Sequence, residues 1–427
     1  MNAALTSRIA EDYARAAPLR DSAADGRRRA ALAALTRAGL PNSRDENWKY
    51  TNLRSLERRR FDPPAAAAAA PHALAGLPAP IADFSRYVFV DGRFAPELSC
   101  ASREAFADLA SAPLQAAGGP SAERGTEQRF ALLNDAFATD GALLRIGAGP
   151  PQRLELVFVA SAAEEAGASY PRLEVLLAPQ AQLQLIERHV SATAAGSFVN
   201  SALEVQLGQG AQLTHYRLQG LSAKSTLFDT LSASLATRAT YHLHAVSTGA
   251  RAARSTQCVR LDGEHAELNM ATVALGNLQQ VQDSFALVEH RAPRARTQQL
   301  FRGIAAGRAR VAFNGKIVVA PGAVGTDSRQ SLRGLLAGPD AEIDVRPQLE
   351  IYTDDVRCSH GATAGKLDEN MLFYLLSRGL EPDTAQRLLK WAFLADAFAR
   401  IEVPQLRHQI EEHLAQVLKD RTLQELL

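Results

Sequence analysis

The chain has 427 residues and balanced charge, with 47 Lys and Arg against 46 Asp and Glu. This balance argues against nucleic acid or an anionic membrane surface as the main partner. Three cysteines, Cys100, Cys258 and Cys358, are too few and too scattered for a disulfide scaffold, and they fit a reducing compartment. The sequence has no apolar run near about 18 residues, and Glu11 and Asp12 interrupt the apolar core of a signal peptide, so we expect a cytoplasmic protein.

Residues 1–60 are predicted to form an N-terminal helical arm. Ile9 and Tyr13 recur at helical spacing, in a context rich in good helix formers. Trp48 and Tyr50 follow in a polar segment. Because large aromatic side chains contribute most when they are buried, we expect these two to anchor the arm on the body of the protein.

A linker and a lead-in of mixed strand and helix character come next. Residues 61–80 are rich in Pro and Ala and have no periodic apolar face, which predicts a linker. Residues 81–150 contain the sequence VFVDGRF, in which Asp91-Gly92 lies between β-branched and aromatic residues. This pattern predicts a β-hairpin.

A repeat dominates the middle of the chain. Four segments, beginning at residues 174, 204, 231 and 259, each contain an alternating apolar strand, a short turn, an alanine and a second alternating strand. The spacing of about 30 residues predicts the stacked coils of a β-solenoid over residues 151–365. A β-sandwich also has short alternating strands and stays open as an alternative. The repeated alanines are Ala181, Ala211, Ala239 and Ala266.

Six histidines lie within the repeat region before residue 300. His242 and His244 alternate on one predicted strand and are spaced to chelate a metal, but no third ligand has a suitable spacing. We therefore interpret the histidines as outward-facing strand residues, and Cys258 as a packed core residue. The other four histidines are His189, His215, His265 and His290.

After residue 365 the apolar period becomes helical, which predicts a C-terminal helical domain over residues 366–427. The second predicted helix, residues 382–400, is apolar on nearly every side and must therefore be covered on every side. A self-contained bundle against the solenoid and a docking surface for another protein both remain open. The candidate docking residues are Leu388, Trp391, Leu394 and Phe398.

The segment that leads from the solenoid into these helices contains the residues best suited to bind a metal or react with a partner. If it is extended, Cys358 and His360 share one face, so thiol and imidazole reach one partner or one metal. A transition metal with soft ligands takes about four donors, and this pair supplies two. Asp354 and Asp355 would point to opposite faces of a strand. The pattern indicates a site shared with another chain, while two structural residues remain the alternative on spacing alone.

Residues 315–380 contain a dense set of motifs. They include a Gly-Lys-Ile strand, a Pro-x-Leu-Glu-Ile strand, an Asp-Asp-Val-x-Cys-Ser-His-Gly turn and the run Phe-Tyr-Leu-x-Ser-Arg-Gly. This region closely resembles the shared C-terminal core of the SufB/SufD scaffold family of iron-sulfur cluster assembly. The Gly-Leu-Pro stretch at residues 39–41, the Asn-Trp-Lys-Tyr-Thr stretch at residues 47–51 and the chain length are similar to the SufD members of that family.

The resemblance implies a mainly β fold, a right-handed parallel β-helix flanked by N-terminal and C-terminal helical parts. It also implies a non-catalytic scaffold subunit of a SufBC2D complex. Such a subunit pairs with SufB through the end of the β-helix and with the SufC ATPase through the C-terminal helices. Because the chain lacks a GxxxxGK[ST] phosphate loop, ATP hydrolysis is expected in SufC.

The resemblance further implies a role for two residues. His360 matches the histidine that meets a SufB cysteine at the interface, where a nascent iron-sulfur cluster is held transiently and shared between the subunits. Cys358 matches the same turn and is the weaker candidate. The sequence leaves open whether the isolated chain forms a homodimer and whether the assembled complex binds a flavin.

Two other functions compete with this interpretation. A polysaccharide-active β-helix enzyme also uses a solenoid, but such enzymes commonly act outside the cytoplasm. A SufB-like sulfur-accepting subunit is disfavoured by the presence of only three cysteines. Trapping a persulfide on Cys258 or Cys358 would support the second alternative.

Overall fold

The computed structural model of the protein describes residues 2–16, 25–42, 44–57, 59–63, 77–100, 126–161 and 168–419. Its centre is a parallel β-solenoid of about seven turns with helices at both ends of the chain. The helices are α1 (Asn2–Arg15), α2 (Asp25–Ala38), α3 (Arg129–Phe137), α4 (Glu369–Ser377), α5 (Pro382–Phe398) and α6 (Pro404–Lys419). The strands are β1 (Ser85–Val90), β2 (Arg93–Phe94), β3 (Ala142–Ile146), β4 (Gln152–Ala160), β5 (Ala168–Ser169), β6 (Arg172–Leu177), β7 (Gln182–Ser191), β8 (Phe198–Leu207), β9 (Gln212–Gly220), β10 (Thr226–Leu235), β11 (Thr240–Ser247), β12 (Ala252–Leu261), β13 (Glu267–Gly276), β14 (Val281–His290), β15 (Arg296–Ala305), β16 (Arg310–Val319), β17 (Asp327–Leu336), β18 (Glu342–Ile351) and β19 (Arg357–Gly365).

Consecutive strands of the solenoid alternate between two sheets. Sheet A has the order β19-β17-β15-β13-β11-β9-β7-β4-β1-β2, and sheet B the order β18-β16-β14-β12-β10-β8-β6-β3. Neighbours along each stack are parallel, as in the ten-residue pairing of β10 with β12. This pairing confirms the predicted mainly β solenoid and rejects the antiparallel sandwich. Both sheets begin before residue 151, because β1 and β3 belong to them.

The repeated alanines explain the period of the sequence. Ala181, Ala211, Ala239 and Ala266 are all fully buried, and each directly precedes a strand of sheet A. The carbonyl of each of the first three accepts a hydrogen bond from the first amide of the next such strand, 2.9 Å away. Because adjacent coils lie about 4.8 Å apart, only a small side chain fits at these stacked turns.

A glycine at one of these turns has even less room. A Cβ atom on Gly263 would overlap the backbone of Ala236 and Thr237 in the preceding coil. We expect Gly263→Ala to lower the free energy of unfolding by about 1–3 kcal/mol, measured by urea titration, since the coil must shift to accept a methyl group. Gly147→Ala is the matched control, because open space surrounds Gly147, and its effect should stay below about 1 kcal/mol. Equal effects of the two substitutions would contradict this account.

The predicted hairpin is present at the start of the solenoid. β1 and β2 pair antiparallel, and the two residues between them, Asp91 and Gly92, have φ values of +50° and +81°. Positive φ at both turn positions matches the twist of the flanking strands and favours Asp-Gly.

Several histidines correct the interpretation of the sequence. His189, His215 and His290 face the solenoid interior and are buried, so the prediction that they point outward is wrong for these three. Polar partners inside the solenoid offset the cost of burying these rings, because a buried imidazole needs hydrogen bonds. His215 Nε2 and His189 Nε2 lie 3.0 Å and 2.6 Å from carboxylate oxygens of Glu187, and His290 Nε2 lies 2.9 Å from Thr297 Oγ1.

The other three histidines of the repeat region, and Cys258, lie outside the solenoid interior. His242 and His244 alternate with the core residues of β11 and occupy its outer face, as predicted. His265 lies in an exposed turn with φ of +59°. Cys258 is packed, as predicted, but on the outer face of β12, where burial raises the pKa of its thiol to about 12.

His290 makes stability depend on pH. Burial lowers its pKa from 6.5 to about 4, so an unfolded chain takes up this proton at a higher pH than the folded one. This contribution to stability is complete above pH 6.5 and is lost as the pH falls toward 4. At pH 5 the loss is about 2 kcal/mol. The free energy of unfolding of His290→Gln, measured with urea at pH 7 and pH 5, should therefore fall less than that of the unchanged protein. An identical fall in both proteins would remove His290 from the pH dependence.

The N-terminal arm packs on the outer face of sheet B. Trp48 is 1% exposed, stacks on Phe130 and Phe228, and donates from Nε1 to Glu127 over 3.0 Å. The predicted anchoring by burial is thus confirmed for Trp48, whereas Tyr50 is only partly buried. Residues 64–76 of the predicted linker lie outside the described residues.

The arm touches successive coils along the length of sheet B. Phe61, the first residue of the predicted linker, continues the arm and packs edge-on against Phe198 of β8. Trp48 lies under the guanidinium of Arg254 of β12 at 4.5 Å. Thr51 bonds Asp283 of β14. Asn47 bonds Asn314 of β16 at 2.9 Å, and Glu46 pairs with Arg346 of β18.

The C-terminal helices α5 and α6 cover the outer face of sheet A. Leu394, Phe398 and Leu406 pack in one cluster with Tyr216 and Ile304 of the solenoid. Helix α4 begins with Asp368 capping two backbone amides, and the turn after it contains Gly379 with φ of +87°. The last eight residues, 420–427, are outside the described part of the chain. None of the described helices combines the length and the apolar character that crossing a membrane requires.

Candidate functional site at the open end of the solenoid

The solenoid ends in two strands that each have one unpaired edge. β18 pairs only with β16, and β19 only with β17, and neither sheet continues among the described residues. Burial also disappears here, since β17 alternates buried and exposed residues whereas β19 has no buried residue. A strand edge of this kind presents free N–H and C=O groups to another chain.

Cys358 and His360 both lie on β19, as the pattern of the sequence predicts. In the parallel register Cys358 is beside Ser328 and His360 is beside Gln330 of β17. Cys358 packs against the hydrophobic interior of the solenoid. Because residues two apart on a strand share a face, thiol and imidazole both face the mouth of the interior at its open end.

The two neighbouring aspartates do not lie as predicted. Asp354 and Asp355 belong to the turn between β18 and β19, and Asp355 has φ of +54°. The Asp355 carbonyl accepts from the Gly325 amide at 2.8 Å, so this turn stacks on the turn of the preceding coil instead of extending the strand. The described residues contain no cluster of three or more His, Cys, Asp or Glu side chains arranged to hold a metal.

The surroundings of Cys358 favour the neutral thiol over the thiolate. Partial burial and, after it, the charge of Asp327 raise its pKa, and a backbone hydrogen bond from Ser328 only partly opposes them. Since the thiolate is the nucleophile and the metal ligand, Cys358 is a poor ligand at neutral pH unless a cation displaces its proton.

Two glutamines behind this pair were missed by the sequence reasoning. Gln299, Gln330 and His360 follow one another in register across β15, β17 and β19. Gln330 Nε2 donates to Gln299 Oε1 at 2.7 Å and to the Gly315 carbonyl at 3.0 Å, while Gln330 Oε1 has no hydrogen-bond partner among the described residues. One signal could have identified them: a polar residue stands at a strand position where an earlier coil carries an apolar one, as Gln299 stands in register with Leu243 two coils earlier. That signal is visible only once the register between the strands is known.

A second exposed surface lies on the C-terminal helices. None of the residues of α4 is buried, and its exposed large apolar side chains include Phe373, which is 71% exposed. Exposed apolar residues gathered on one element are typical of an interaction surface. The members of this surface are Met371, Phe373, Tyr374 and Leu376 of α4 and Leu388 of α5.

This surface differs from the docking residues chosen from the sequence. Leu394 and Phe398 are buried against the solenoid, and Trp391 is half-buried and stacks on Phe398 with ring centroids 5.9 Å apart. All three side chains make contacts within the chain. The prediction that Leu394 and Phe398 are docking residues is wrong, because both are buried, whereas Trp391 keeps part of its surface exposed. Leu388 keeps an exposed side chain.

Comparison with known proteins gives a consistent assignment. A family model described as "SUF system FeS cluster assembly, SufBD core domain" matches residues 158–393, more than half of the chain. The chain is 32% identical over 391 residues to the iron-sulfur cluster assembly protein SufD of Escherichia coli strain K12, which covers 91% of each chain. It is 29% identical over 410 residues to the iron-sulfur cluster assembly SufBD family protein slr0076 of Synechocystis, covering 92% of this chain and 90% of that protein. It is 30% identical over 254 residues to the chloroplastic protein ABCI7 of Arabidopsis thaliana, covering 58% of this chain and 53% of that protein.

A parallel solenoid with an open end, together with these matches, defines the class: the chain belongs to the SufBD family of iron-sulfur cluster assembly proteins. Within that family it is SufD-like, as the similarity across 91% of both chains indicates. The family assignment favours a role in cluster assembly over the polysaccharide-active enzyme considered above.

Proposed function

We propose that the protein is a SufD-like scaffold subunit of a SufBC2D complex. It pairs with a SufB-like subunit through β18 and β19 and with a SufC-like ATPase through the exposed surface of α4 and Leu388. The observation that carries this proposal is the open end of the solenoid, with Cys358 and His360 at its mouth.

The hydrogen-bonding pattern at this end supports pairing through strand edges. The Arg357 amide donates to the Thr326 carbonyl at 2.8 Å, so alternate amides of β19, beginning with Arg357, belong to the ladder with β17. The amides of Cys358, His360 and Ala362 therefore point to the free edge. An added partner strand would bond to these groups, as in other cases of strand addition.

The outer edge of β18 has an interrupted row of hydrogen-bond donors. The Glu342 amide donates to the Ala309 carbonyl at 2.9 Å, which assigns the even-numbered amides of β18 to the ladder with β16. Pro347 lies at an odd-numbered position, where its missing N–H costs no bond inside the solenoid but interrupts the outer edge. β19 therefore offers the continuous row of donors and is the main pairing edge.

The donor count supports a cluster shared between chains. His360 and Cys358 supply two ligands, so the remaining ligands of a nascent iron-sulfur cluster come from the SufB-like partner. A cluster held this way is labile, which suits transfer to a recipient. Neutral imidazole and thiolate are the ligating forms, so cluster binding strengthens as pH rises.

In this role the chain holds no permanent cofactor and carries out no chemical step. ATP hydrolysis takes place in the SufC-like partner, whose docking buries the exposed apolar side chains of α4. Without a SufB-like subunit, the same free edges of β18 and β19 are available to a second copy, so the isolated chain forms a homodimer.

The test is co-expression with the SufB-like and SufC-like proteins of the native host. We expect His360→Ala to co-purify with both partners and to lower iron-sulfur cluster formation about tenfold or more, measured as activation of an apo-ferredoxin. His408→Ala is the matched control, because His408 is exposed on α6, where it pairs with Glu412 at 3.2 Å. Full cluster formation by His360→Ala, or a chain that purifies without either partner, would overturn the proposal.

A further inference from the structure

A separate pocket of about 340 Å³ lies between the outer face of sheet A and the connection from α5 to α6. It is four strands along sheet A from β19, so it is distinct from the open end of the solenoid. Its volume is at the small end of ligand pockets, which measure roughly 300–1,000 Å³. The lining residues that matter are Thr214, His242, His244, Asn269, Arg400 and Glu402.

The floor of this pocket is a row of hydrogen-bonding side chains. Thr214, His242 and Asn269 line the pocket and are consecutive register partners on β9, β11 and β13. Most outer positions of a solenoid strand are either solvated or covered by apolar contacts. Three polar residues in one row under a helical connection are instead suited to hold a polar ligand.

His244 is the buried group of the site. It is 8% exposed, and its ring stacks on Tyr216 with centroids 5.2 Å apart. Its Nδ1 has no hydrogen-bond partner among the described residues. Burial, followed by the charges of His242 and Arg400, lowers the pKa of His244 to about 4, so the ring is neutral near pH 7. A buried imidazole nitrogen without a partner is costly, so a small shift of the ring that brings it to a ligand in the pocket would relieve this cost.

Arg400 supplies the charge. Its guanidinium makes no ion pair in the described part of the chain, and its contact with Gln298 Oε1 is a long 3.5 Å. Glu402 is the acidic residue among those lining the pocket, and its backbone amide donates to the Tyr216 hydroxyl at 3.3 Å. Its carboxylate is an acceptor for a hydroxyl or amine of a ligand.

We propose that this pocket binds a small metabolite with an oxyanion group, a phosphate or a carboxylate. Arg400 forms the charge-assisted bond to the oxyanion, and His244, Thr214 and Asn269 complete its hydrogen bonds. A metal ion fits these residues less well. The described residues offer no three-ligand cluster here, and the Arg400 charge repels a cation.

The test uses the full chain with inorganic phosphate and malonate as probes, in isothermal titration calorimetry at constant ionic strength. We expect saturable binding of at least one probe at a single site, and which probe binds distinguishes a phosphate from a carboxylate ligand. Arg400→Gln should weaken binding about tenfold or more, because it removes the charged donor. His244→Phe keeps the stacking on Tyr216 and should also weaken binding.

Arg308→Gln is the matched control, since Arg308 is an exposed turn arginine outside the pocket, and it should bind like the unchanged protein. Thermal unfolding of each variant verifies that it is folded. The proposal is overturned by absence of saturable binding of both probes, or by unchanged affinity of a folded Arg400→Gln. Binding of Zn²⁺ that is lost in His242→Ala, without any anion binding, would replace it with a metal site.

Discussion

Replacing Arg217 with methionine is expected to lower the free energy of unfolding by about 3–5 kcal/mol, because it leaves two buried carboxylates without their cation. Arg217 donates to Glu187 at 2.7 and 3.0 Å and to Asp229 at 2.8 and 2.9 Å inside the solenoid. Burial alone favours a neutral carboxyl group, but Arg217 and the hydrogen bonds from His189 and His215 hold the pKa of Glu187 well below its usual range. The arginine therefore neutralises charge in the buried interior of the solenoid.

Urea titration of Arg217→Met measures this effect. The control is Lys316→Met, which removes the partner of Glu350 at 2.7 Å in a pair that is partly exposed to solvent. Such surface pairs contribute about 0–1 kcal/mol. If Arg217→Met destabilises the protein no more than Lys316→Met, the buried network does not stabilise the fold.

Replacing Ala362 with proline is expected to weaken pairing with the SufB-like subunit by at least about tenfold. The substitution removes an amide that points to the free edge of β19, and the ring occupies the place of an incoming carbonyl. The ladder with β17 uses the other set of amides, so the chain itself should stay folded. Gly361 precedes the new proline and tolerates the restriction that proline imposes on its neighbour.

Surface plasmon resonance with the purified SufB-like subunit measures this affinity. Ala362→Val is the matched control, because valine keeps the amide and suits a strand. Thermal unfolding of both variants separates loss of pairing from loss of folding. Unchanged affinity of a folded Ala362→Pro would show that the partner does not add a strand to β19.

The architecture was largely predictable because it repeats. The alanines at the stacked turns recur once per coil, and the Asp91-Gly92 turn is a local signal with a steric cause. The common face of Cys358 and His360 also follows from local spacing. None of these inferences depends on contacts between distant residues.

What the sequence could not specify is which face of each element is covered. Alternation shows that a strand has two faces, but only the register between coils places His215 inside the solenoid and His242 outside it. For a helix that is apolar all round, the same limit applies. Whether Leu394 or Leu388 is covered depends on where sheet A lies, and sheet A is assembled from residues far away in the chain.

The N-terminal arm changes how a stack of coils should unfold. Solenoids in general behave as one-dimensional arrays, in which each coil is supported only by its neighbours and ends can unravel independently. Here a single segment between Glu46 and Phe61 contacts strands from β8 to β18, bridging coils that do not touch each other. Opening the C-terminal coil therefore also strains the arm's contacts with the coils that contain β8 and β12, so these coils are expected to lose their structure as one cooperative unit.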